Sequence, residues 1–187
     1  MLDVGSLGKK YGSRWIFRGV EMSVQTGHVL AITGRNGRGK STLVKTLAGL
    51  IEPAEGWIER TDSMGYSALD LHLYPQMTPI EHLQFACSMR SAAYDEEVLD
   101  YVGMGEERSR QCGVLSTGQR ARVKLALAIH HKPELLFLDE PTAALDDAGR
   151  AIVGKILADQ KLRGGAVMAT NDPLDLEHAT HELRLAE

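Results

Sequence analysis

Ten residues, Thr33 to Thr42, constrain this chain more than any others. They read TGRNGRGKST, follow the apolar run VLAI and precede the amphipathic segment LVKTLAGL. Strand, GxxxxGKS/T and helix therefore stand in the order of a phosphate-binding loop. The chemistry accounts for the spacing. Residues without a Cβ let successive backbone N–H groups turn inward and form a concave nest for phosphate oxygens. The helix that follows directs its positive end at the same anion. On this reading Gly34, Arg35, Asn36, Gly37, Arg38, Gly39, Lys40, Ser41 and Thr42 hold a nucleotide. Lys40 reaches the β- and γ-phosphates, and the Ser41 hydroxyl is a ligand for Mg²⁺. A glycine-rich turn with a chance lysine would not also carry the flanking strand and helix.

A second element closes the site. Leu135–Pro141 reads LLFLDEP, an apolar strand ending in two carboxylates. Such strands are buried on both faces in a parallel sheet, and ligands bind at their carboxyl ends. Asp139 is expected to hold Mg²⁺ through its water shell, and Glu140 to orient or deprotonate a water attacking the γ-phosphate.

The rest of the chain alternates short apolar strands with amphipathic helices, the pattern of an α/β protein with a largely parallel sheet. Strands are expected at Val20–Val24, His28–Thr33, Trp57–Arg60, Met64–Ala68, Leu135–Asp139, Ala166–Thr170 and Glu182–Leu185. Helices are expected from Gly39 to Leu50, Ile80 to Arg90, Thr117 to His130 and Ala148 to Lys161; Pro53 stops the first, Pro133 the third and Gly164-Gly165 the fourth. The stretch 71–122 lacks a convincing strand and reads as a helical lobe inserted into a core formed by 1–70 and 123–187. With 187 residues the chain is expected to form a single domain.

Charge and composition exclude several classes. Lys and Arg number 21 against 25 Asp and Glu, a net charge of −4, which argues against nucleic acid as a partner. No apolar run approaches the ~18–20 residues of a membrane span, and the N-terminal MLDVGSLGKKYG lacks the pattern of a secretory signal. Cys87 and Cys112 lack metal-site spacing, which fits a reducing compartment.

Leu115–Arg122, LSTGQRAR, starts a helix with the S-x-x-Q spacing of a capping box. LSTGQ, twenty residues before Asp139, also resembles the signature (usually LSGGQ) of ABC-type ATPases. TAALD, Thr142–Asp146, is similar to that family's D-loop, and Tyr11 in KKYG matches its adenine-stacking aromatic. The likeness runs from Val4 to the final strand. It implies a P-loop NTPase fold: a mainly parallel sheet flanked by helices, an antiparallel β part near the N-terminus and the inserted helical lobe. It also implies ATP hydrolysis with Mg²⁺. Two such domains pair head to tail in the family, so Ser116, Thr117, Gly118 and Gln119 would meet the ATP held by a partner. One copy of each motif then calls for a homodimer, or a heterodimer with a second ATPase subunit. Transmembrane ABC permease subunits would receive the stroke, placing the chain in the cytoplasm on the inner face of the membrane.

Three positions depart from the family pattern. Thr117 replaces the first glycine of the signature. Leu69 stands where the family carries a glutamine touching Mg²⁺ and the attacking water, with Gln76 the nearest glutamine. Asn171 stands at the switch position usually held by histidine, after Thr170. An amide hydrogen-bonds but carries no charge, so a slow ATPase is expected, or alternatively a regulatory module with little hydrolysis. A coiled-coil DNA-repair ATPase is disfavoured by the absence of a long insertion and a basic face. A GTPase is disfavoured by the absence of NKxD.

Leu73–Leu83, LYPQMTPIEHL, resembles a segment of short exporter-type ATPases. With Glu187 ending the chain one strand past the switch position, the likeness points to the haem-exporter, cytochrome c maturation group. Other residues are expected to be structural. Met64, Met77, Met89 and Met104 would fill core, Trp15 and Trp57 would anchor packing, and His130-His131 would favour a helix dipole rather than a metal. Asp95–Glu97 would be a solvated helix start.

Overall fold

The computed structural model describes residues 1–90 and 92–185; Glu187, on which the reading of the chain's end rests, lies outside them. Three runs with every residue buried, β3 (Val29–Thr33), β6 (Leu135–Asp139) and β7 (Gly165–Ala169), form the interior of a parallel sheet. The less buried β5 (Met64–Ala68) and β8 (His181–Arg184) form its edges, in the order β5-β6-β7-β3-β8. This is the burial that a sheet covered on both faces demands.

A second sheet pairs β1 (Leu2–Tyr11) with β2 (Arg14–Val24) and β4 (Glu55–Arg60), antiparallel, with β1 in the middle. Period-two patterning found only Val20–Val24 and Trp57–Arg60 here, for a physical reason. Ser6 has φ 47, and the β1–β2 register shifts between Val4 and Leu7. The buried set on β1 therefore runs Leu2, Val4, then Leu7, changing parity at the bulge. On β2, Gly19 at φ 65 separates buried Phe17 from Val20 in the same way.

The helices are α1 (Lys40–Leu47), α2 (Pro79–Arg90), α3 (Glu97–Tyr101), α4 (Thr117–Ile129), α5 (Asp147–Arg163) and α6 (Pro173–Leu176). α1 stops short of Leu50 because Gly49 turns left-handed. Gly49 N–H then bonds Thr46 O at 3.0 Å and Leu50 N–H bonds Lys45 O at 2.8 Å, a Schellman ending. The segment expected as a solvated helix start at Asp95–Glu97 opens α3, whose Leu99 is fully buried.

Alternate residues of the interior strands serve two cores. Leu135 and Phe137 join Leu43, Val44 and Leu47 of α1 and the inner face of the antiparallel sheet. Leu136 and Leu138 face the opposite way, onto α4, α5 and the lobe residues Leu83, Leu99 and Val102. The lobe enters after β5 and returns before β6, yet these strands are parallel neighbours, with Ala68 opposite Asp139. The proposed boundary at 122/123 falls inside α4, a continuous helix.

Several residues expected in the core lie elsewhere. Of the four methionines only Met104 is buried, and Met89 is exposed on α2. Trp57 is exposed, lying across Gly5, where a Cβ would sit 2.4 Å from its ring. Trp15 is half-buried, its ring 4.6 Å from the Arg18 guanidinium and 5.3 Å from Lys10 Nζ. Both tryptophans thus brace the surface of the antiparallel sheet rather than anchor a core.

Candidate active site

The loop between β3 and α1 carries three left-handed glycines, Gly34 at φ 140, Gly37 at φ 80 and Gly39 at φ 91. Gly39 is the N-cap of α1, with no side chain capping it, so the first-turn N–H groups are left for an anion. Nothing larger fits there: a Cβ on Gly39 would lie 2.3 Å from Ile16 Cγ2. Ile16, which sequence reasoning missed, therefore brings β2 against the phosphate loop. Tyr11, at the end of β1, is exposed with Lys9 Nζ 5.1 Å from its ring centroid.

Lys40 is buried; its ammonium donates to Gly34 O at 3.0 Å and lies 3.7 Å from Glu140 Oε1. One residue on, Ser41 Oγ donates to Asp139 Oδ1 at 2.9 Å, joining α1 to the end of β6 across 98 residues of sequence. A hydroxyl and a carboxylate in contact are hard oxygen donors of the kind magnesium takes alongside water and substrate phosphates. The pair therefore fits that ion.

Burial pushes the Asp139 carboxyl above its ordinary pKa, opposed by its bond from Ser41 and by the charge of Lys45. Glu140 is likewise raised by burial, with Lys40 opposing. A raised carboxyl is a stronger base than an ordinary one, which suits Glu140 to accept a proton from water. Its backbone is left-handed, φ 50, while its N–H bonds Ala169 O at 2.9 Å. Non-glycine residues held there are strained and cluster at functional sites.

The switch position meets the phosphate loop directly. Asn171 Nδ2 donates to Asn36 Oδ1 at 2.7 Å. Beneath it, buried Asp175 accepts from Thr142 Oγ1 at 2.8 Å and Thr170 Oγ1 at 2.6 Å, fastening the loop after β6 to the end of β7. Nothing in the sequence marked Asp175.

The signature forms the start of α4 as a complete capping box. Ser116 Oγ accepts from Gln119 N–H at 3.1 Å, and Gln119 Oε1 accepts from Ser116 N–H at 2.9 Å. Gln119 Nε2 also donates to Glu107, and Arg120 donates to Thr117 Oγ1 at 3.3 Å. Among the described residues these bonds tie the signature to itself and its neighbours, and none reaches the phosphate loop. Gly118 instead abuts the D-loop, where a Cβ would lie 3.1 Å from Ala144 O. Arg122 adds an ion pair to Asp146 at 2.7 Å, and Asp146 in turn caps α5 through Gly149 N–H. Arg122 was also missed; only its place one helical turn beyond Gly118 hints at it.

Leu69 is exposed, and its carbonyl accepts from Lys124 Nζ at 2.5 Å. Gln76 lies in a turn within the lobe, where Cys112 N–H bonds Met77 O and Gly113 N–H bonds Pro75 O, both at 2.8 Å. The His130 and His131 rings lie with centroids 4.8 Å apart, tilted by 57°. Burial is the main cause lowering His130's pKa, to about 4, so it is neutral, and the expected attraction of a charged imidazole to the helix end does not operate. Its Nδ1 faces Cys87 Sγ at 3.4 Å, while His131 Nε2 lies 2.9 Å from Met64 O.

The ABC transporter family model matches residues 17–143, which span the phosphate loop, the signature and the acidic strand. The chain belongs to the ABC transporter family. It is an ATPase of the ATP-binding subunit type. It is 37% identical to the cytochrome c biogenesis ATP-binding export protein CcmA of Mesorhizobium japonicum, over 96% of this chain and 95% of that one. It is 34% identical to the aliphatic sulfonates import ATP-binding protein SsuB 1 of Burkholderia lata, over 91% of this chain but only 56% of the relative's length. A solved ATP-binding subunit of an ABC transporter superposes with a TM-score of 0.91 over 99% of this chain and 85% of that one. At 23% identity it shows the shared fold.

Proposed function

We propose that this ABC ATPase binds ATP with Mg²⁺, pairs head to tail with a second copy or a related ATPase subunit, and drives transport through separate membrane permease subunits. The observation that carries this is the meeting of Lys40 with Glu140 and of Ser41 with Asp139 at the carboxyl end of the parallel sheet. Magnesium, when bound, neutralises phosphate charge and orients the β- and γ-phosphates. Ser41 and Asp139 would hold it. Lys40 leaves Gly34 O for the γ-phosphate, and Glu140 takes the proton of the attacking water. Asn171 donates its amide N–H groups to the phosphate edge, as it now does to Asn36.

Among the described residues no helix is long and apolar enough to cross a membrane. Leu71, Tyr74, Phe85, Met89 and Val114 of the lobe expose apolar surface, which supports docking of a permease there and a place on the inner face of the membrane. For the transported substrate we favour haem export for cytochrome c maturation, on the near full-length likeness to CcmA.

A second reading, a regulatory module that binds ATP with little turnover, is favoured by apolar Leu69 and uncharged Asn171. Phosphate release with and without Mg²⁺, alongside sedimentation with and without ATP, separates them. The transport ATPase shows magnesium-dependent release and nucleotide-dependent pairing; the module pairs on ATP without release. A protein that neither binds ATP nor pairs refutes both.

A further inference from the structure

Asp175, in α6, is a carboxylate only 2% exposed. A single oxygen of it, Oδ2, accepts from both Thr142 Oγ1 and Thr170 Oγ1. A carboxylate only accepts, so both hydroxyls are committed as donors. Thr142 and Thr170 are themselves buried, and neither hydroxyl can turn to water instead. Burying a charge is costly unless hydrogen bonds compensate it. Here the compensation comes from two separate loops of the site.

Thr142 stands two residues after Glu140, in a turn where Ala143 N–H bonds Glu140 O at 3.3 Å and Leu145 N–H bonds Thr142 O at 3.0 Å. Thr170 directly precedes Asn171, whose amide donates to Asn36 of the phosphate loop. The Thr170 hydroxyl also accepts from Asp172 N–H at 3.0 Å. Asp172 in turn pairs with Arg150 of α5, whose N–H bonds Asp146 O at 2.8 Å. The switch segment is thus tied to the stretch that follows Glu140 through Asp175 with Thr142 and through Asp172 with Arg150.

We propose that Asp175 is a positioning residue for hydrolysis: it joins the Glu140 loop to the switch segment, so that a nucleotide engaging Asn171 also sets Glu140 against the attacking water. Glu140 has left-handed backbone at φ 50, and such a conformation persists only where the surroundings over-determine it. The bond from Thr142 to Asp175 supplies part of that restraint. When Asn171 leaves Asn36 for a phosphate, Thr170 moves with it, and Asp175 carries the shift to Thr142. This rests on the assignment of Glu140 as the base and of Asn171 to the phosphate edge.

The test follows backbone hydrogen exchange by mass spectrometry, with and without adenylyl imidodiphosphate and Mg²⁺, so that no turnover enters. In the parent, nucleotide is expected to slow exchange in 34–42, 170–176 and 140–146 alike. In Asp175→Ala, 34–42 and 170–176 still respond and 140–146 does not. The same variant is expected to lose at least about tenfold in kcat for phosphate release, the cost of a misplaced reacting group, with KM for ATP unchanged. Asp175→Asn keeps a carbonyl oxygen able to accept from both hydroxyls and restores most of the loss in both readouts. Should Asp175→Ala not fold, Thr142→Val carries the same test, because the carboxylate keeps its bond from Thr170. The inference fails if the variant retains the nucleotide response at 140–146, if its kcat per folded molecule equals the parent's, or if exchange rises across the whole core with and without nucleotide, as simple loosening of the fold would cause. A parent whose 34–42 ignores nucleotide sinks the nucleotide-binding reading, and this inference with it. A parent whose 34–42 responds while 140–146 does not sinks the role of Asp175 alone. Glu140→Gln is the control for the base: phosphate release at the parent rate would place the fault in that assignment.

Discussion

The proposed mechanism places most of its chemistry on one side chain, Glu140. Its carboxyl is raised by burial, its backbone is held left-handed, and its nearest cation is a buried lysine already shared with Gly34. Glu140→Gln keeps the shape and removes the base. Steady-state phosphate release is expected to fall at least about 100-fold, while ATP affinity stays within a small factor because Lys40 and the glycine nest are untouched. Release at the parent rate would remove Glu140 from its assigned role. Lys40, Ser41, Asp139 and Glu140 were all legible in the sequence because each belongs to a short run whose own pattern fixes its local geometry. Asp175 and Ile16 were not, since neither differs from an ordinary residue of its element until another segment packs on it.

At the scale of elements, the signature helix is held to the core by close approach. Gly65 of β5 faces α4 so tightly that a Cβ would lie 2.1 Å from the backbone carbonyl of Ala128. Backbone cannot give way as a flexible side-chain tip can. Gly65→Ala is therefore expected to destabilise the fold by about 1–3 kcal/mol, read by urea denaturation. The same shift moves Lys124 from the Leu69 carbonyl. The other end of α4 is tied to the D-loop through Gly118 against Ala144 and Arg122 with Asp146. α4 thus links the signature, the D-loop and the turn at Leu69. Its capping box was readable from S-x-x-Q, being entirely local. Its attachments were not, and neither was β1, whose bulge at Ser6 breaks the alternation on which strand reading depends.

For the whole molecule, acid sensitivity follows from His130 at the junction of α4, the lobe and the sheet. Its folded-state pKa, about 4, lies below the ordinary 6.5. The folded protein keeps the ring neutral while the unfolded chain takes up a proton, so this contribution is complete above pH 6.5 and is lost as pH falls toward 4. By pH 5.5 the loss amounts to about 1 kcal/mol. Urea melts at pH 7.5 and 5.5 should show the parent losing that much more than His130→Gln. The sequence by itself determined the order of strand, loop and helix, the phosphate nest, the acidic strand end and the capped signature, because contiguous residues with backbone preferences specify each. Only the tertiary structure decided that Ser41 meets Asp139, that Asn171 meets Asn36 across 135 residues, and that Asp70 stands by Lys45. Those contacts depend on which strands lie side by side and where each one stops, and that is settled by burying two faces of one sheet at once.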